Sequence, residues 1–235
     1  KNSLNSSIGP SSPTDFYCGN LIFSHNLFNL NLLTNVDLGL NENLQIGIGA
    51  ELRYEKFIQL NGDESSYLSG NYSDSLFYDG EWIIRESYPA GSQMFPGYMP
   101  DNEINKSRNN VSAYFDLEQV LSSVFLVNLA ARYENYSDFG QSINGKLALR
   151  IEPIEKMALR TSLSTGFRAP SLSQSYYSAI STNLVGGNLI QSGTYSVDNS
   201  IARELGAVPL KPEISKHFSG GIVLKPNKNV ELSFD

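Results

Sequence analysis

The residues able to do chemistry in this chain are few and scattered. His25 and His217 stand far apart, and neither falls in a spacing that builds a metal site or gives a nucleophile its base. Cys18 is the only cysteine, so it makes no internal disulfide and no zinc site and reads as a small packed residue. Asp63, Glu64, Asp74, Asp79 and Glu81 gather in one stretch that could hold calcium, but they lack EF-hand order, and solvated loop charge is the plainer reading. Gly47-Ile48-Gly49 lacks the third glycine of a dinucleotide fingerprint and reads as small residues within a strand. No isolated carboxylate pair has a neighbour that would move its pKa. No catalytic residue is therefore assigned, and neither a metal nor a cofactor is expected.

The elements that position these residues come next. Seventeen basic residues face 24 acidic ones, a formal charge of -7, with no Lys/Arg cluster to neutralise a row of phosphates, so nucleic acid is excluded as a partner. Charged residues make up 17% of the chain, below the roughly 25% of soluble domains. The 13 Tyr, 12 Phe and 19 Gly suit β structure joined by polar loops. The longest mainly apolar stretch, Val120 to Ala131, is broken by Ser122, Ser123 and Asn128. It falls short of the roughly 20 residues of a spanning helix. The opening Lys1-Asn2-Ser3 carries no leader pattern and the closing Val230 to Asp235 stops inside a strand pattern, so the chain reads as a piece of a longer one.

Period-two alternation recurs along the chain, the mark of strands whose two faces meet different surroundings. From Leu44 to Phe57, Leu44, Ile46, Ile48, Ala50, Leu52 and Tyr54 share one face, and Gln45, Gly47, Gly49, Glu51, Arg53 and Glu55 the other. The same pattern predicts strands over 28–38, 111–117, 125–133, 142–152 and 156–168. Weaker candidates over 214–225 and 229–235 make about eight in all. Most exceed the five or six residues usual in soluble proteins and match the roughly 9 to 11 of a tilted membrane-crossing strand. Connections are short at Asn41-Glu42-Asn43, Gln119 to Ser123, Pro153-Ile154-Glu155 and Pro226-Asn227-Lys228. They are long at Ile58 to Ser107 and Ala169 to Glu213, which puts turns on one rim and loops on the other. The short connection at Asp138-Phe139-Gly140 is the exception. Tyr54, Phe57, Tyr133, Tyr136, Phe139 and Phe167 fall near the loop rim, where rings could form an aromatic girdle.

Leu159 to Gln174, which contains Gly166-Phe167-Arg168-Ala169-Pro170, resembles a barrel motif of TonB-dependent outer-membrane receptors. So do Gly49 to Glu55, Phe95-Pro96-Gly97, Tyr136 to Gly140 and Leu210-Lys211-Pro212-Glu213. The resemblance implies an all-β, antiparallel transmembrane barrel of about 22 strands, of which residues 1–235 would be an arc of about eight, without the plug. It also implies location in the outer-membrane lipid, a plug domain, the energising TonB complex, and uptake of a scarce nutrient such as a siderophore, cobalamin, oligosaccharide or peptide. Gly166 to Pro170 read as structural, with Pro170 ending a strand and Arg168 pairing with a carboxylate on the plug or on a neighbouring strand.

Two rivals stay open: a small closed outer-membrane barrel with enzyme or adhesin activity, and a soluble β-sandwich binding module. For ligand recognition the long loops are the natural place, and Trp82, Tyr88, Tyr98, Tyr176 and Tyr177 are the candidates, since aromatic rings offer contact area at small entropic cost.

Overall fold

The computed structural model describes residues 5–40, 42–92, 95–185 and 188–235. Lys1, Asn2 and Ser3 of the opening segment and Asn41 of the first predicted turn lie outside them. The described elements are β1 (Asn20–Val36), β2 (Leu44–Leu60), α1 (Glu64–Tyr67), β3 (Ser73–Tyr78), β4 (Glu81–Ser87), β5 (Ile104–Val120), β6 (Phe125–Tyr136), β7 (Gly140–Ile154), β8 (Met157–Arg168), α2 (Leu172–Tyr176), β9 (Ala179–Val185), β10 (Asn188–Thr194), α3 (Ser200–Glu204), β11 (Glu213–Asn227) and β12 (Val230–Phe234). One sheet runs in the order β1-β2-β5-β6-β7-β8-β11-β12, and its eight strands are those that the alternation predicts. Within the described residues β1 and β12 are its edges, so the ring does not close and the small-barrel reading lacks its closure.

The chain divides into two compact units. One comprises His25–Glu55, Arg108–Pro170 and Lys211–Asp235, the other Lys1–Ser24, Lys56–Ser107 and Ser171–Leu210. The first holds most of the sheet. There, β6 to β7 turns through Ser137, Asp138 and Phe139, with Gly140 at φ 74°, the left-handed value that glycine adopts without a Cβ clash. The β7–β8 and β11–β12 hairpins share a device. The ladder slips by one residue between Ile151 and Ile154 and again between Leu224 and Asn227, and these gaps hold Pro153 and Pro226. Proline has no N–H for a ladder, so a bulge is where a strand tolerates it.

Register turns the alternation into rows. Leu117, Leu129, Leu147, Leu163 and Phe218 lie opposite one another across five strands. Phe125, Ile151, Leu159, Ile222 and Phe234 make a second such row. Large apolar side chains on this face are exposed, Leu163 to 55% and Ile143 to 75%. The opposite face carries Ser112, Asn128 and Glu134, which are buried. There Asn128 donates to the Asp116 carboxylate at 2.8 Å, and Ser162 and Ser219 bond at 2.8 Å. A soluble sandwich would turn its apolar rows onto a second sheet. Here they face outward and the polar rows bond to one another, which excludes the sandwich.

The predicted aromatic girdle is only partly present. Tyr54 and Tyr133 are exposed on the apolar face, but Phe57 and Tyr136 are buried. The reason is parity. Tyr133 and Tyr136, like Tyr54 and Phe57, are three residues apart, and in a strand an odd spacing puts two side chains on opposite faces.

Candidate functional site

On the polar face of the sheet-bearing unit, charged side chains form a layered network. Arg53 donates to Glu51 at 2.8 Å. Arg132 reaches Glu51 at 3.2 Å, Glu134 at 2.9 Å and the Ser112 hydroxyl at 2.8 Å. Two guanidinium groups and two carboxylates thus balance. At the neighbouring level Arg108 is only 6% exposed. Its Nε donates to Glu55 at 2.7 Å and its Nη2 makes a short bond to the same oxygen. Its Nη1 donates to the Pro170 carbonyl at 2.7 Å and lies 3.5 Å from Asp138, while the guanidinium carbon sits 5.2 Å from the centre of the Tyr136 ring. The planar five-donor fork of arginine suits three partners in different directions, where lysine would offer a point charge.

The motif segments that lie apart in sequence meet around this arginine. Glu55 closes the first, Tyr136 and Asp138 belong to the next, and Pro170 ends Gly166 to Pro170. Phe167 packs its ring 5.7 Å from that of Tyr136. Glu213 stands opposite Arg168 in the ladder and Gly166 opposite Ser215. Arg168 and Glu213 are 3.8 Å apart and largely exposed, so the expected pairing with a neighbouring strand is present but contributes little. Ala169 carries the chain from β8 to Ser171, which caps α2 by accepting from the Gln174 N–H at 3.1 Å. His217 bonds Ser215 at 2.9 Å, and among the described residues no three His, Cys, Asp or Glu side chains gather as metal ligands.

The loop aromatics belong to the other unit and divide into two kinds. Tyr98 is 6% exposed, with its ring edge-on to Phe95 at 5.7 Å and to Tyr177 at 6.1 Å. Burial, and then its hydrogen bond to Tyr177, push its phenol pKa well up. Tyr88 stacks on Tyr72 at 6.1 Å, and Lys106 sits 5.3 Å over the ring of Tyr176. These four rings build the unit's interior and flanks. Trp82 is different: it is 70% exposed and touches Phe77 at 5.2 Å. The structure thus brings Tyr98 and Tyr177 together and leaves Trp82 on a hairpin of its own.

Phe95-Pro96-Gly97 threads through this interior. Gly97 N–H donates to the Ser66 carbonyl at 3.1 Å and Tyr98 N–H to the Cys18 carbonyl at 3.0 Å. A Cβ on Gly97 would lie 1.8 Å from Ser66 Oγ and 2.7 Å from its Cβ, and Ser66 is fully buried. Gly97→Ala should therefore disorder the loop body while leaving the sheet intact. Limited proteolysis of the full-length protein, with faster cleavage within residues 61–103 than in wild type, is the measurement. Cys18 packs here too. Its thiol pKa is raised, first by burial and then by Asp63.

Sequence reading missed Arg108, because residues 105–110 are polar on both faces and show no alternation. It also missed the β3–β4 hairpin, although Asp79-Gly80 between apolar runs is the strongest short-range hairpin signal. Asp79 at φ 51° and Gly80 at φ 85° make the turn.

An antiparallel sheet with apolar rows outward and an ion-paired polar face defines the wall of a transmembrane β-barrel. The chain belongs to the TonB dependent receptor-like, beta-barrel family, whose profile matches residues 2–235. Its fold is similar to that of the siderophore receptor PirA from Acinetobacter baumannii, with a TM-score of 0.57 at 16% identity over 91% of this chain and 26% of that one. It is also similar to a mutant of the ferric enterobactin receptor PfeA from Pseudomonas aeruginosa in complex with enterobactin, with a TM-score of 0.57 at 14% identity over 90% and 26%. The chain therefore spans about a quarter of the length of these structures.

Proposed function

We propose that this chain is an arc of the barrel wall of an outer-membrane receptor that takes up a large, scarce nutrient and draws its energy through TonB. The observation that carries the reading is the inverted sheet: oily rows on the exposed face and paired ions on the other. Lipid on one side and a wet or plug-filled interior on the other is the environment in which that polarity is stable. Candidate cargoes are a siderophore, as the printed names of PirA and PfeA suggest, or cobalamin, an oligosaccharide or a peptide. The protein acts by binding and passage and makes no bond.

The test is uptake by cells carrying the full-length receptor, with and without a functional TonB. Labelled ferric siderophores, cobalamin, oligosaccharides and peptides should include one whose accumulation requires both. Accumulation that persists without TonB would overturn the energetic part of the proposal, and a full-length protein that stays in buffer without detergent would overturn the membrane part.

A further inference from the structure

One charged side chain stands on the face opposite to all the others. Across the paired residues of β6, β7, β8 and β11, Arg132, Lys146, Arg150 and Arg160 have the parity of the polar face. Lys216 does not. It pairs with Thr165, and so shares the oily face with Ile214, Phe218, Ile222 and Leu163. Among the described residues of those ladders no other Lys, Arg, Asp or Glu lies on this face. Lys216 is exposed and makes no hydrogen bond or ion pair among the described residues. The nearest carboxylate along its strand, Glu213, is on the polar face, 3.8 Å from Arg168.

Beside this lysine the oily face is hollow. Ala131 lies opposite Gly145 and Thr165 opposite Lys216, and the Gly145 N–H donates to the Thr165 hydroxyl at 3.0 Å, which joins the four into one cross-strand row. Larger residues flank the row, with Leu129, Leu147 and Leu163 toward the turn rim and Tyr133, Ile143 and Phe167 toward the loop rim. The result is an open depression of about 550 Å³ with almost wholly apolar walls. A Cβ built on Gly145 would meet only the Ala130 carbonyl oxygen, at 3.7 Å, so packing within the chain does not require a glycine there.

Depth and chemistry together define an occupant. Lys216 is three ladder steps from the Glu213–Arg168 pair at the loop rim, about 10 Å along the strand. A cation on a lipid-facing strand is costly at mid-depth and tolerated near the interface, where lysine lays its stem on apolar surface and turns its ammonium to the headgroups. Headgroup phosphate is the anion available at that level, and the adjoining depression suits an acyl chain, whose buried methylenes add to binding.

We infer that Ala131, Gly145, Thr165 and Lys216 form a binding site for a phosphate-bearing membrane lipid of the loop-side leaflet, with the phosphate on the Lys216 ammonium and an acyl chain in the depression. The inference rests on the receptor reading, since it needs this face to meet lipid.

The experiment uses the full-length receptor in neutral detergent and counts bound lipid by native mass spectrometry. Phosphatidic acid is the probe, and phosphatidylcholine of the same acyl chains, whose phosphate carries its own counter-charge, is the reference. Wild type should prefer phosphatidic acid, and Lys216→Gln should lower that preference about fivefold, the worth of one lysine beside an anionic headgroup, while leaving phosphatidylcholine unchanged. Gly145→Leu fills the depression and should weaken retention of both lipids by a similar factor. Lys228→Gln, in the β11–β12 turn, should keep the wild-type preference. A preference unchanged in Lys216→Gln, an equal fall in Lys228→Gln, or full retention by Gly145→Leu overturns the inference. Oxygen accessibility that alternates along β8 in bilayers after such a failure leaves the membrane reading standing, so the two fail separately.

Discussion

Arg108→Met lowers the stability of the full-length receptor by about 3–5 kcal/mol, the usual cost of removing one partner from a buried ion pair. The substitution keeps most of the side-chain volume, so packing loss contributes little. What remains is the Glu55 carboxylate, only 13% exposed, with its short bonds gone, and a Pro170 carbonyl without its donor. Because Pro170 ends the segment that begins at Gly166, the damage should spread to the exit of β8. Reversible denaturant unfolding in lipid vesicles measures the loss. Arg108→Lys should recover only part of it, since an ammonium group cannot bond Glu55 through two nitrogens and also reach Pro170. A full rescue by lysine would mean that charge alone, and not the fork, holds the motif segments together.

Leu147→Arg costs about 2–4 kcal/mol in a bilayer, the penalty for a cation at mid-depth on a lipid-facing strand. Leu147 is the middle member of the row Leu117, Leu129, Leu147, Leu163, Phe218 and is exposed. The size of this effect is what makes it informative. An exposed leucine on a water-facing surface tolerates arginine within about 0.5 kcal/mol. A loss of several kcal/mol at this exposed position is the size expected where the exposed face meets hydrocarbon. Ile143→Arg, nearer the β6–β7 turn, should cost less, since the penalty falls toward the interface.

The sheet was legible in the sequence because alternation is a local signal. Leu44 to Tyr54 and Met157 to Phe167 carry their pattern in consecutive residues, and register follows once turns such as Pro153-Ile154-Glu155 are placed. The charged cluster was half legible. Glu51, Arg53, Glu55, Arg132 and Glu134 could each be assigned to a polar face, but Arg108 lies in a stretch polar on both sides, and its partners come from three separate segments. No local pattern reports such convergence. The girdle shows a different failure. Tyr136 and Phe57 were read by their position along the strand, when parity along the same strand already placed them on the face away from Tyr133 and Tyr54. In the loops, ring type alone nominated Tyr98 and Trp82 together, and only burial separates the packed ring from the free one.

The central claim is that the apolar rows face lipid. Nitroxide labels placed singly from Met157 to Arg168 of a cysteine-free, full-length receptor in bilayers would test it along one strand. The account predicts that accessibility to dissolved oxygen alternates with period two, high at Leu159, Thr161 and Leu163 and low at Arg160, Ser162 and Ser164. Uniform accessibility along the strand, or oxygen maxima at Arg160 and Ser162, would contradict it.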